Sequence, residues 1–245
     1  MANLIVDEGN TLCKIAVLDK SKVLYEVAVP EFDMAQAAEC IERYNVDKAV
    51  VASTRGGAEQ ICEKLRAKVA RVLHFTSQTE VPIAIEYASR QTLGTDRIAV
   101  AVGVVCDMGI KDALIVDMGS AITYDVVEGG AFKGGNISLG VAMRFRALHE
   151  FTASLPLCKA VEPTAEFGDS TKEAIEQGVM QGVLYEIEGY VERVLAENDK
   201  KSIIFCGGDA ESFVNRIKNA IFAPRKLMFT GLNRILEYNV SKDNI

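Results

Sequence analysis

The chain has 245 residues, 49% of them apolar and 25% charged, with 27 basic against 34 acidic side chains and a formal net charge of −7. That balance describes a folded globular protein and excludes disorder as its main state. The acidic excess argues against a general nucleic-acid binder, and no apolar run reaches the ~20 residues that span a bilayer.

In chain order, Leu4–Asp7 reads as a short apolar strand that ends in Asp7-Glu8-Gly9-Asn10-Thr11. Strands follow at Leu12–Leu18 and Val23–Val29, joined by the turn Asp19-Lys20-Ser21-Lys22. Asp33 is placed to cap a helix whose apolar residues Met34, Ala37, Ala38, Ile41 and Tyr44 share one face. A strand at Ala49–Ala52, a helix with Ala58, Ile61, Cys62, Leu65 and Val69 on one side, and a strand at Val72–Phe75 complete the first half. The run Ile98–Val105 is β-branched like a strand, but Thr95-Asp96 before it resembles a helix start, and we assign it as a buried helix.

The second half repeats this order. A strand at Ala113–Val116 ends in Asp117-Met118-Gly119-Ser120-Ala121. Ile122–Val127 and Ala131–Ser138 follow, the latter expected to be broken at Gly134-Gly135. Helices are expected over about 141–151 and 171–196, then a buried strand at Ser202–Cys206, a helix after Gly207-Gly208-Asp209, and a last helix near 231–239. Three strands, a helix and a strand, twice over, imply an α/β protein whose two halves, 1–110 and 111–245, each carry a mixed sheet and face each other across a cleft.

Each half opens with strand, Asp-x-Gly, strand. Glycine in such a turn lets backbone N–H groups approach an anion. Asn10, Thr11, Ser120 and Thr123 add small polar groups, and Lys14 adds a cation. The carboxylates of Asp7 and Asp117 are compatible with phosphate when a cation lies between. One such turn alone is an ordinary hairpin; two copies in matching positions describe a phosphate clamp. The six cysteines are scattered without a Cys-x-x-Cys pair, which suggests reduced core residues and a cytoplasmic setting. The pairs Lys200-Lys201 and Arg225-Lys226 read as solvated charge. No role falls to His74 or His149.

These motifs resemble the type III pantothenate kinases, within the superfamily of acetate and sugar kinases and actin. The Asp7 and Asp117 turns match its two phosphate motifs, and Gly94-Thr95-Asp96-Arg97 matches its substrate motif in full. Gly134 to Gly140 matches a glycine-rich element, with Leu139 in place of proline, and Cys206-Gly207-Gly208-Asp209-Ala210 resembles the adenosine motif, with Cys in place of Thr. The resemblance implies a duplicated ribonuclease H-like fold of the actin-like ATPase type. It also implies transfer of the ATP γ-phosphoryl group to the hydroxyl of pantothenate, the first step of coenzyme A synthesis.

By the same resemblance, Asp96 is the general base, and Tyr87, Gly94, Thr95, Asp96, Arg97 and Thr171 contact pantothenate. Asp7, Glu8, Gly9, Asn10, Thr11, Leu12, Cys13, Lys14 and Ser120 contact ATP. Asp7 helps to hold Mg²⁺, Asp117 holds a monovalent cation (K⁺ or NH₄⁺), and the enzyme is a cytoplasmic homodimer with no nucleic-acid or membrane partner. Plainer readings stand beside these: Asp96 as a first-turn helix acid paired with Arg97, Tyr87 as a half-buried strand tyrosine, and Thr171 as part of a helix cap. Two other functions fit the nucleotide motifs, namely a phosphotransferase for another small alcohol and a non-catalytic nucleotide-binding transcription accessory protein. The retention of Asp7, Asp96 and Asp117 argues against the latter.

Overall fold

The computed structural model describes residues 2–162, 165–218, 220–223, 226–243 and 245. They form two five-stranded mixed sheets. Three strands open the first sheet: β1 (Ala2–Glu8), β2 (Cys13–Asp19) and β3 (Lys22–Val29). Helix α1 (Met34–Tyr44) leads to β4 (Val46–Ser53), and α2 (Ala58–Arg66) leads to β5 (Arg71–His74). The strand order is β3-β2-β1-β4-β5, with an antiparallel meander followed by parallel arrivals through helices. Strand β1 lies at the centre and is buried on both faces, which is why its middle, Leu4-Ile5-Val6, is continuously apolar. Edge strand β3 alternates between exposed and half-buried residues, as a strand with one solvated face must.

Local chemistry sets the helix ends. Asp33 accepts a hydrogen bond from Ala35 N–H at 2.9 Å and so caps α1, and Asn45 closes that helix in the left-handed region at φ 51°.

The second sheet repeats the plan with β6 (Ala113–Met118), β7 (Ala121–Glu128), β8 (Ala131–Leu139), β9 (Ser202–Cys206) and β10 (Ala220–Phe222). Its order, β10-β9-β6-β7-β8, is that of the first sheet strand for strand, so the duplicated α/β architecture expected from the sequence is present. Helices α4 (Val141–Glu150) and α5 (Thr171–Glu197) pack on it, with the short α6 (Glu211–Val214) behind β9. Strand β10 escapes the sequence pattern because it has three residues. Strand β8 runs unbroken through Gly134-Gly135: a side chain at Gly135 would come within 2.1 Å of Tyr124 O, so this glycine serves close strand approach and not a break. Lys201, expected to be solvated, is 7% exposed. Arg225 lies outside the described residues.

Compact contacts group residues 1–111, 128–133 and 226–245 into one unit, and 112–127 with 134–225 into another. Each has its own apolar core. In the first unit, α3 (Thr95–Val102) continues as a π-helical turn at Gly103–Asp107, and α7 (Leu227–Ser241) packs directly upon it. A Cβ at Gly231 would sit 1.9 Å from Ala99 O, and one at Gly103 would sit 2.7 Å from Leu227 O. Two backbones in contact leave no space to relax. Gly231→Ala is therefore expected to destabilise the protein by about 3 kcal/mol in urea unfolding; a variant as stable as the parent would show that the helices can part freely.

Helix α7 also ties the base of this unit together. Asn3 of β1 donates to Asn233 Oδ1 (2.7 Å) and to Glu237 Oε1 (2.6 Å), Lys48 of β4 pairs with Glu237 (3.1 Å), and Asn233 donates to Lys20 O (2.8 Å). The strand that carries Asp7 is thus tied by hydrogen bonds to α7, which packs on the helix that carries Asp96.

Candidate active site

Asp7 is the penultimate residue of the central strand β1, at the carboxyl end of that strand. It is 5% exposed. Its cross-strand partner is Lys14, with Nζ 3.8 Å from Oδ2. Burial is the largest influence on its carboxyl group and raises its pKa from 3.8 to about 6; Lys14 pulls the other way, while Asp96 and then Glu8 add repulsion. Asp96 is therefore an electrostatic neighbour of Asp7, although 88 intervening residues separate them in the chain.

The turn after Asp7 is closed by Gly9 N–H donating to Leu12 O at 3.0 Å. Glu8 turns its carboxylate to Ser53, whose hydroxyl donates to it at 2.5 Å, and its carbonyl accepts from Thr54 N–H at 2.9 Å. Arg55 donates to Asn10 O from Nε (3.2 Å) and Nη2 (2.8 Å). Asn10, Thr11 and Leu12 are exposed. The Cys13 side chain lies wholly in the core, where burial pushes its thiol up to about 11, so it can offer a ligand only its backbone. Ser53 and Arg55 were not singled out from sequence. The signal was there: Ser53 ends an apolar strand and Thr54-Arg55-Gly56-Gly57 directly follows it.

Gly94 caps the start of α3, and Thr95 is the helix's first residue. Asp96 Oδ1 accepts from Arg97 N–H at 2.8 Å and folds back over Gly94, where a Cβ would lie 2.4 Å from that oxygen. The glycine therefore makes room for the carboxylate. Arg97 is 6% exposed, with its guanidinium carbon 5.8 Å from the Tyr87 ring centroid and 5.7 Å from that of Phe132. Tyr87 sits half-buried in the loop after the isolated bridge at Ile85. Asp7, Lys14, Tyr87, Asp96 and Arg97 all belong to the first unit.

Asp117, Ser120 and Thr171 belong to the second. Asp117 lies on central strand β6 and Ser120 in the exposed turn beyond it. Gly207 lies directly against this turn. It adopts φ +94°, and a Cβ there would meet Met118 O at 2.4 Å and Asp117 Oδ1 at 2.6 Å, so only glycine fits. Asp209 N–H donates to Met118 O at 3.1 Å, joining the Cys206–Ala210 segment to the Asp117 turn. At α5, Ser170 Oγ accepts from Glu173 N–H and supplies the cap, which leaves Thr171 as an exposed first-turn residue. Thr171 borders an apolar groove of about 830 Å³ with Leu139, Phe151, Ile175 and Val179. His74 pairs with Glu59, and His149 meets Leu155 O, both at 2.8 Å.

Among the described residues, no three His, Cys, Asp or Glu side chains converge on one point, and no helix is long and apolar enough to cross a membrane. A divalent ion is nevertheless suited to Asp7: a buried carboxylate, offset by one lysine and repelled by two acids, is a hard oxygen donor short of positive charge.

The family model described as type III pantothenate kinase matches residues 3–193. A type III pantothenate kinase of Bacteroides fragilis is 38% identical over 242 residues, spanning 97% of this chain and 98% of its own. Among solved structures, a conserved Campylobacter jejuni protein designated a Baf family transcriptional activator is similar at TM-score 0.62 and 23% identity, over 97% of this chain and 99% of that one. MreB5 of Spiroplasma citri, bound to ADP, is similar at TM-score 0.53 and 12% identity, over 99% and 98%.

Proposed function

Because this chain belongs to the type III pantothenate kinase family, it uses ATP to phosphorylate pantothenate, the first step of coenzyme A synthesis, and we propose that Asp96 is the base that receives the hydroxyl proton. The observation that carries the assignment is the approach of Asp7 to Asp96, with Arg97 beside Tyr87, from two distant stretches of chain at 7 and 87–97.

Asp96 Oδ1 is engaged by the Arg97 N–H, and its carboxylate remains reachable from solvent. The pantothenate hydroxyl oxygen bonds to the γ-phosphorus as the bond to the ADP oxygen breaks, and the hydroxyl proton passes to Asp96. In a loose transition state the hydroxyl becomes acidic late, so a correctly placed carboxylate suffices and position outweighs base strength. Arg97 and Tyr87 orient pantothenate, with Gly94 and Thr95 shaping the start of α3 beside it, and Thr171 is the contact that the family resemblance assigns across a dimer interface.

Residues Asp7 to Lys14 bind the ATP phosphates, chiefly through backbone N–H groups and the Lys14 ammonium; in the second unit, Ser120 is the ATP contact that the family motif implies. Asp7 would hold Mg²⁺, which when bound would neutralise phosphate charge. Asp117 would hold K⁺ or NH₄⁺. The exposed Leu139 and Phe151 lining the Thr171 groove support a homodimer. A cytoplasmic enzyme without nucleic-acid or membrane partners completes the reading.

A coupled assay of ADP release tests it. Pantothenate is expected to raise turnover by at least about tenfold, and exchange of Na⁺ for K⁺ to raise it further, as for a substrate-completed phosphoryl-transfer site. ATP consumption indifferent to pantothenate would overturn it.

A further inference from the structure

Phe132 has no place in the reading so far, yet its ring stands where Tyr87 and Arg97 meet. It reaches them as part of the 128–133 segment, which joins the first compact unit although it links two strands of the second sheet. Phe132 N–H donates to Ala84 O, and Glu86 N–H donates to Phe132 O, both at 2.9 Å, making an isolated parallel bridge with Ile85. Lys133 pairs with Glu86 at 2.5 Å beside it. The backbone leading into Tyr87 is thus docked on the strand that carries Phe132.

The side chains complete the arrangement. The Phe132 ring is wholly buried and meets Tyr87 edge-on, at a 6.0 Å centroid separation and a 70° interplanar angle. The Arg97 guanidinium lies 5.7 Å from the same ring. An edge-to-face pair fixes the tilt of the tyrosine. A guanidinium near a ring face is attracted by the ring quadrupole, and its planar fork of donors makes its orientation decisive for what it can bind. Leucine at this position would occupy similar apolar space but offers neither a π-face nor a ring edge.

We propose that Phe132 is a positioning residue for substrate recognition: buried beyond the reach of pantothenate, it sets the directions in which Tyr87 and Arg97 present their polar groups. This rests on the assignment of those two residues to pantothenate made above.

The test compares Phe132→Leu, Arg97→Lys and the double variant, with pantothenate and ATP varied separately and melting temperatures recorded. Phe132→Leu is expected to raise the pantothenate KM about tenfold, with the ATP KM within about twofold and melting within a few degrees. The double variant is expected to raise the pantothenate KM by clearly less than the product of the two single effects, because part of the ring's effect is carried by the arginine and the rest by Tyr87; fully multiplicative effects would overturn the coupling. If Arg97→Lys raises the pantothenate KM and Phe132→Leu does not, the inference fails while the site assignment stands. Equal increases in both KM values with a large loss of melting temperature show a merely structural role and also overturn it. If neither Arg97→Lys nor Tyr87→Phe moves the pantothenate KM, the site assignment itself fails. Should Phe132→Leu not fold, Phe132→Met, with a more adaptable side chain, gives the same readout.

Discussion

Asp96→Asn is expected to lower kcat for pantothenate phosphorylation by about 10²-fold or more, while ATP binds as before. Asparagine keeps the size of the side chain and its acceptor toward the Arg97 N–H, but it cannot take a proton. The loss therefore falls on the chemical step. Removing the charge also relieves Asp7 of one of its two acidic neighbours, so the variant is expected to be no less stable than the parent. Single-turnover kinetics and ATP titration check both points. A variant that turns over at the parental rate would remove Asp96 from the role of base.

The second large effect is expected at Asp7, where activity and stability move in opposite directions. Burial is the main reason that the Asp7 carboxyl group has a pKa raised from 3.8 to about 6. Between those values the folded protein keeps a proton that the unfolded chain has released. Folding stability from this group is thus intact at low pH, falls as pH rises through about 4 to 6, and stays reduced above that range. Asn carries no such penalty. Asp7→Asn is expected to be more stable than the parent at pH 7.5 by about 2 kcal/mol, with the difference vanishing below about pH 4. The same change removes the proposed Mg²⁺ ligand, so turnover with ATP is expected to fall at least about 10²-fold. Urea unfolding at the two pH values and a turnover assay read the two arms. An Asn variant less stable than the parent at pH 7.5 would mean that the Lys14 pair outweighs burial.

Both experiments address the cost of placing two carboxylates in one neighbourhood of a fold. In the absence of ligand, Asp7 is set against its own burial and against Asp96, with Lys14 as a partial counter-charge at 3.8 Å. A bound cation and its phosphates would supply what the protein alone does not, so ATP with Mg²⁺ should stabilise the folded state in proportion to its binding.

Much of this was legible from residues alone, because the deciding physics is local. Continuous apolar runs marked the central strands β1 and β6, and alternating patterns marked the partly solvated ones. Asp33 announced its helix by its own capping chemistry. The repeated order of elements, with an Asp-x-Gly turn in each half, specified the duplicated α/β plan and the residues to watch. Thr95-Asp96 decided correctly between helix and strand for the run that follows, since a carboxylate in a first helical turn is favourable whatever packs around it.

Tertiary structure decided the rest, because contacts between distant segments leave no periodic trace. Gly231 has no visible purpose in the sequence until Ala99 O lies 1.9 Å from the Cβ it lacks. Lys201 reads as solvated charge until the fold buries it. Gly134-Gly135 looks like an interruption, yet the strand runs through, because the space at Gly135 is taken by the neighbouring Tyr124 backbone. The grouping of Phe132 with Tyr87 and Arg97 depends on a two-residue bridge too short to leave any sequence pattern. The chain's own chemistry thus marked the two turns able to approach phosphate, since that follows from residue type and turn geometry, while the family motif alone pointed to Asp96 as the proposed base; burial, tilt and mutual repulsion of these groups belong to the fold, since they depend on neighbours that the chain order does not reveal.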